Sequence, residues 1–165
     1  MLTTLLLSLV LMAALFLLLY AGVALIQDKR FFSSAPRAVQ DAVTPRPKRF
    51  PGQHALGWVL ALAAILLFPA AFVYGMLDGV RHGFSFWQFS LRFAAMLYLL
   101  KAFDILVFDW ILLCHGHFFP RYYPEVKPVL EPSLFGYNRR EHAMHMLLFI
   151  PAVLLMALAG TMLRR

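Results

Sequence analysis

The chain has 165 residues, 62% of them hydrophobic and only 14% charged, with a formal net charge of +7. So few charges exclude a soluble domain of this length, because they could not cover its surface. The positive balance does not point to nucleic acid, because the basic residues fall in connectors between long apolar blocks.

Leu2 to Gln27 holds no charged residue, and its few hydroxyls (Thr3, Thr4, Ser8) can be satisfied by the carbonyls of a helix. It exceeds the roughly 20 residues that cross a bilayer. A secretory signal peptide is the competing reading. It would need a basic start and an apolar stretch of only about 7–15 residues. No Lys or Arg precedes the apolar run, and the stretch from Ala21 to Ala24 is a weak cleavage signal, so the block is read as a retained span. Loop one, residues 28–53, carries Pro36, Pro45, Pro47 and Pro51 among basic residues. It reads as a polar connector touching lipid headgroups, with a short interfacial helix around Pro36 to Val43.

The second span is His54 to Leu77, with Pro69 inside it. Gly57 with Ala61, and Ala71 with Gly75, give small-xxx-small spacings that permit close helix approach, within the chain or in a homo- or hetero-oligomer. The following loop, 78–85, is short, so spans two and three are antiparallel neighbours.

The third span, 86–114, is interrupted by Arg92, Lys101, Asp104 and Asp109. Lys101 and Asp104 lie near its middle, where each costs roughly 2.5–3.5 kcal/mol to insert. Three apart on a helix, they can pair. At about 100° per residue, Tyr98, Lys101, Asp104, Asp109 and His115 fall within an arc of roughly 140°. Arg92 falls opposite and is expected to snorkel outward. The stripe reads either as a structural ion pair with interfacial polar residues, or as a path for a substrate, proton or ion.

Loop three, 115–141, has prolines at 120, 124, 128 and 132, a spacing that argues against a regular helix and for a stiff strap or a lid. Phe118, Phe119, Tyr122 and Tyr123 are expected to lie flat at headgroup level. The fourth span is 142–163, with Pro151 near its middle. Across the connectors, ten Lys and Arg in loops one and three stand against four on the opposite side (Arg81, Arg92, Arg164, Arg165). That asymmetry places both loops in the cytoplasm and both termini outside. Anionic headgroups are the expected partner of the basic charge. Trp58 and Trp110 fall near the cytoplasmic boundary and Trp87 near the outer one.

The chemistry-bearing residues gather at the cytoplasmic ends of spans three and four: Asp109, Cys114, His115 and His117 on one, Glu141, His142 and His145 on the other. His54 can join from span two. Imidazoles with a carboxylate suit zinc, iron or a haem, with His115, His117, His142 and His145 as ligands. Without a cofactor, Asp109, Glu141 and His142 suit acid–base work. The order Glu-His-x-x-His is not that of zinc proteases, and neither a phosphate-binding glycine loop nor a nucleophile elbow is present. Cys114 cannot form an internal disulfide and reads as a small buried hydrophobe.

The fold class expected is an all-α integral membrane protein, residues 1–165 forming one four-helix bundle, N-out/C-out, in the cytoplasmic (inner) membrane of a prokaryote. Three functions fit: a small membrane enzyme or redox protein using the histidines, a small transporter or permeability protein using Lys101 and Asp104, or an assembly partner using the small-residue face of span two.

Overall fold

The computed structural model describes residues 1–32, 35–44, 46–130 and 134–164; Pro45, Pro132 and Arg165, invoked above, lie outside the described residues. The protein is 83% helical, with no strand among the described residues. Helix α1 is Leu2–Tyr20 and continues as π-helix over Ala21–Ile26; α2 is Arg37–Ala42 and α3 is Gln53–Arg81. Helix α4 is Phe86–Phe103 and continues as π-helix over Asp104–His115; α5 is Phe118–Tyr122 and α6 is Arg139–Leu163. Short 3-10 turns occupy Lys29–Phe32 and Pro124–Val129.

Three helices, Leu2–Ile26, Gln53–Arg81 and Arg139–Leu163, are long and apolar enough to cross a membrane. At most 44% of any of their apolar windows is buried inside the protein, so most of that apolar surface faces outward. On a water-soluble protein such a surface would be an aggregation liability; in lipid it is the expected exterior. Phe86–His115 is helical as well, but its four charged residues and the change of winding at Asp104 set it apart from those three.

The chain divides into two compact units. The first comprises Met1–Ala14, Leu66–Phe103 and Asn138–Arg165. Its core is Leu7, Leu11, Ala71, Phe89, Phe93, Met96, Val153 and Ala157. The turn from α3 to α4 is encoded locally. Gly83 takes φ 65°, and the amides of Gly83 and Phe84 bond the carbonyls of Val80 and Gly79, a Schellman closure of α3. Ser85 and Gln88 then cap α4 reciprocally: the Ser85 amide donates to the Gln88 side chain at 2.7 Å, and the Gln88 amide to the Ser85 hydroxyl at 3.4 Å. Phe89 is fully buried between two glycines. A Cβ on Gly79 would lie 2.3 Å from its ring, and one on Gly160 2.8 Å away.

The second unit comprises Leu15–Ile65 and Asp104–Tyr137. Gln27, at φ 56°, ends the first helix in the left-handed region, its amide bonded to the Gly22 carbonyl at 2.8 Å. The terminal carbonyls of that helix are capped from the start of α3. The Gln53 side chain donates through Nε2 to the Leu25 carbonyl at 2.7 Å and to the Gln27 Oε1 at 2.9 Å, while the Arg49 guanidinium donates to the Ala24 carbonyl. Gly57 allows this approach, since a Cβ there would meet the Ile26 side chain at 2.7 Å. Ala61 and Ala71 are buried, and Gly75 packs on Leu7, so both small-residue pairs of span two are occupied inside the chain.

The loops depart from their sequence reading. Prolines in loop three do not prevent helix, because Pro120 sits in the first turn of α5 and Pro124 opens a 3-10 turn, where no amide donor is required. Phe119 and Tyr123 do not lie flat at a surface. They join Val23, Val39, Val43, Leu113 and Val126 in the core of the second unit. Helix α2, placed where a short helix was expected, supplies Val39 to the same core. Glu125 ties the two loops: it accepts from the Thr44 hydroxyl at 2.8 Å and the Thr44 amide at 3.2 Å, and pairs with Arg46. Arg46 also lies over the Tyr123 ring at 5.9 Å.

Two outcomes test this packing. Gly160→Leu forces the buried Phe89 ring aside and should destabilise the protein by about 1–3 kcal/mol, read as a lower thermal midpoint in detergent. Burial raises the Glu125 carboxyl, but a hydrogen bond to its own backbone amide, the Thr44 hydrogen bonds and the Arg46 charge together outweigh it, leaving the group below its ordinary value of 4.5. Its stabilisation is therefore present above that value and lost as the pH falls through the depressed one. Glu125→Gln should lower the midpoint at neutral pH, and the gap to wild type should close under strong acid.

Candidate functional site

Within the first unit, Lys101 ends α4 at 8% exposure, with Nζ 3.4 Å from Nδ1 of His145 on α6. The contact is framed one turn away on each helix. Tyr98 donates its hydroxyl to the Met146 carbonyl at 2.9 Å, and its ring stands edge-on to Phe149 at 5.7 Å. His142, one turn before His145, is buried, while Glu141 and His145 are exposed. A hydrogen bond between an ammonium and an imidazole needs a ring nitrogen without a proton. With Nδ1 accepting from Lys101, Nε2 carries the imidazole proton. Lys101 and His145 thus bring two basic groups into contact on facing helices.

The other expected residues belong to the second unit. Asp104 lines an apolar cavity of about 210 Å³ with Leu15, Leu18, Val23, Phe31 and Phe108. Asp109 is buried; His115 and His117 are exposed. The His115 Nδ1 bonds the Trp110 carbonyl at 2.9 Å, and its ring packs edge-on to Trp110. The single arc expected from Tyr98 to His115 is corrected by the winding. From Asp104 onward residues five apart, not three or four, come into register, so α-helical angles stop applying at Phe103. Wide winding draws Asp104 and Asp109 toward one side. His54, in the first turn of α3, is half-buried. Among the described residues, no group of three or more His, Cys, Asp or Glu forms a set able to hold a metal ion.

One ionisable site escaped the sequence reading. Arg92, expected to snorkel outward, is only 3% exposed. Its guanidinium lies 2.7 Å from Asp78, donates to the Gly75 carbonyl at 2.6 Å and to the Thr4 hydroxyl at 3.3 Å, and sits 4.3 Å from the Phe84 ring. Desolvation drives this arrangement: a guanidinium that cannot reach water must be met by acceptors from the protein. A signal for it existed. Asp78 and Arg92 are equidistant from Ser85, and a short antiparallel turn brings such residues abreast. Helix α3 runs on to Arg81, a turn beyond its expected end, and so carries Asp78 within it.

Compared with protein-family models, curated proteins and solved structures, the chain matches none of them.

Asp78→Asn should leave the Arg92 charge uncompensated and cost about 3–5 kcal/mol, whereas joint replacement by Asp78→Leu and Arg92→Met should recover most of that loss. Denaturation of the three variants in one detergent would decide it. A small penalty for Asp78→Asn alone would mean that the pair is not a major support.

Proposed function

We propose that this chain is a four-span membrane protein with both termini outside and residues 28–53 and 115–141 in the cytoplasm of a prokaryote. We further propose that it is a small transporter or permeability protein, passing protons or a small charged solute through a site centred on Lys101 and His145. The observation that carries the reading is a nearly buried lysine in contact with a histidine on the facing helix. Ionisable groups inside membrane helices are costly and mark pathways for ions and protons. Lysine and histidine are also the two side chains best suited to releasing and accepting a proton as their surroundings change.

Topology has its own support. With Arg92 withdrawn into an ion pair, the basic count becomes ten in the two long loops against three on the opposite side, which sharpens the positive-inside bias. An enzymatic or redox role would draw on the histidines as ligands or acid–base groups. The exposure of His115 and His117, and the engagement of the His115 Nδ1 with a backbone carbonyl, favour transport over it. The assembly reading loses its intended surface, since the small residues of α3 are packed within the chain.

Purified protein in proteoliposomes carrying an internal pH dye should dissipate an imposed proton or solute gradient faster than empty vesicles. Lys101→Met should abolish that flux with the fold intact by circular dichroism, and His145→Gln should reduce it. Flux unchanged in Lys101→Met, or absent from the wild type, would sink the reading. Cysteine accessibility at positions 40 and 127, protected in intact cells and labelled in inverted vesicles, checks the topology.

A further inference from the structure

The second unit contains a cleft that the Lys101–His145 site does not use. Its volume is about 410 Å³, and its walls include Lys29, Arg30, Thr44, Arg46, His54 and Trp58. A second hollow of about 250 Å³ shares Gln27 and Arg46 with it and adds Arg49 and Arg121. Five cations thus surround two adjoining hollows. Two carboxylates offset them in part: Asp28 pairs with Arg30 at 2.6 Å, and Glu125 pairs with Arg46. Arg49 gives its guanidinium to a neutral acceptor, the Ala24 carbonyl, and keeps its charge. The balance is positive.

Three further observations point to a ligand. Among the described residues, the His54 Nε2 is buried without a hydrogen-bond partner, although it borders a polar cleft. Such a group is normally satisfied, and in a cavity wall it is available to a bound molecule or a water. His54 also lies in the first turn of α3, where the helix dipole favours an anion. Finally, Gln27, which lines both hollows, is the one described non-glycine residue held at positive φ. Backbone strain of this kind persists where the surroundings over-determine it, often at ligand sites.

The mouth decides which anion. Trp58 lines the cleft and is 51% exposed. Leu62 and Ile65, exposed and on the same helical face, continue the stripe down α3. A free phosphate has no use for such a stripe; an acyl chain does, and tryptophan prefers the headgroup boundary. We propose that the cleft binds one anionic glycerophospholipid, its phosphate held by Lys29, Arg46 and His54 and an acyl chain lying along Trp58, Leu62 and Ile65. The site is independent of the flux reading, since it shares no residue with Lys101 and His145.

Native mass spectrometry of the intact protein tests this, with phosphatidylglycerol, phosphatidylcholine and inorganic phosphate added in turn. One phosphatidylglycerol should be retained in preference to phosphatidylcholine, with inorganic phosphate failing to displace it. His54→Leu with Lys29→Gln should weaken retention about tenfold or more, the loss of charge-assisted bonds, while Lys127→Gln, outside the cleft, leaves it unchanged. Equal retention of both lipids, displacement by inorganic phosphate, or equal weakening by Lys127→Gln would overturn the proposal. Should the double variant not fold, wild-type tryptophan fluorescence replaces it. Brominated phosphatidylglycerol should quench at a lower mole fraction than brominated phosphatidylcholine, and Trp58→Phe should erase the difference. Identical quenching by both lipids would overturn the site.

Discussion

Arg92 has water on neither side of it, and that condition organises the first unit. A guanidinium carries five donors in a planar fork, and each must find an acceptor where the solvent cannot supply one. The acceptors come from α1 (Thr4) and from two turns of α3 (the Gly75 carbonyl and Asp78), with the Phe84 ring as a lid. The Gly75 carbonyl accepts from Arg92 at 2.6 Å, and a Cβ on Gly75 would lie 3.2 Å from the Leu7 side chain of α1. The ion pair therefore fixes the height of α4 against α3, and the Schellman turn at Gly83 and the Ser85–Gln88 caps have to fit that height. Phe89, one turn before Phe93 and wedged between Gly79 and Gly160, then sets how near α3 and α6 come to α4.

Much of this was legible because bilayers impose blunt requirements. Length and apolarity marked 2–27, 54–77 and 142–163, where the helices Leu2–Ile26, Gln53–Arg81 and Arg139–Leu163 lie, and a short helix was anticipated around Pro36 to Val43, where α2 lies. What failed was local winding and side-chain destination. Nothing in the order Asp-Ile-Leu-Val-Phe-Asp announces the π-helix that begins at Asp104. The aromatic residues of loop three were assigned to a lipid surface because aromatics favour one, yet a connector also needs a core of its own. Phe119 and Tyr123 supply it, and burial there pushes the Tyr123 hydroxyl up to about 12.

For the site, local spacing reaches only part of what surrounds an ionisable residue. Lys101 was matched with Asp104 by helical spacing; its contact with His145 on α6, 44 residues away, is invisible to any local rule. Arg92 was read by helical angle alone, which says where a side chain starts but not what lies within its reach. The cations of loop one looked like a dispersed, solvated charge until α2, α3 and the 3-10 turn at Pro124 gathered them around two hollows. Periodicity can assign a residue to a face. It cannot say that two connectors will meet.

The caps on the first helix carry a consequence for its manufacture. Ala24 and Leu25 present their carbonyls to Arg49 and Gln53, which follow them by 25 and 28 residues. At about 5–20 residues per second, a ribosome needs roughly one to six seconds to add that stretch. Until then the Ala24 and Leu25 carbonyls lack the side chains that bond them in the folded chain. The first helix thus cannot be fully capped until the start of α3 has been made.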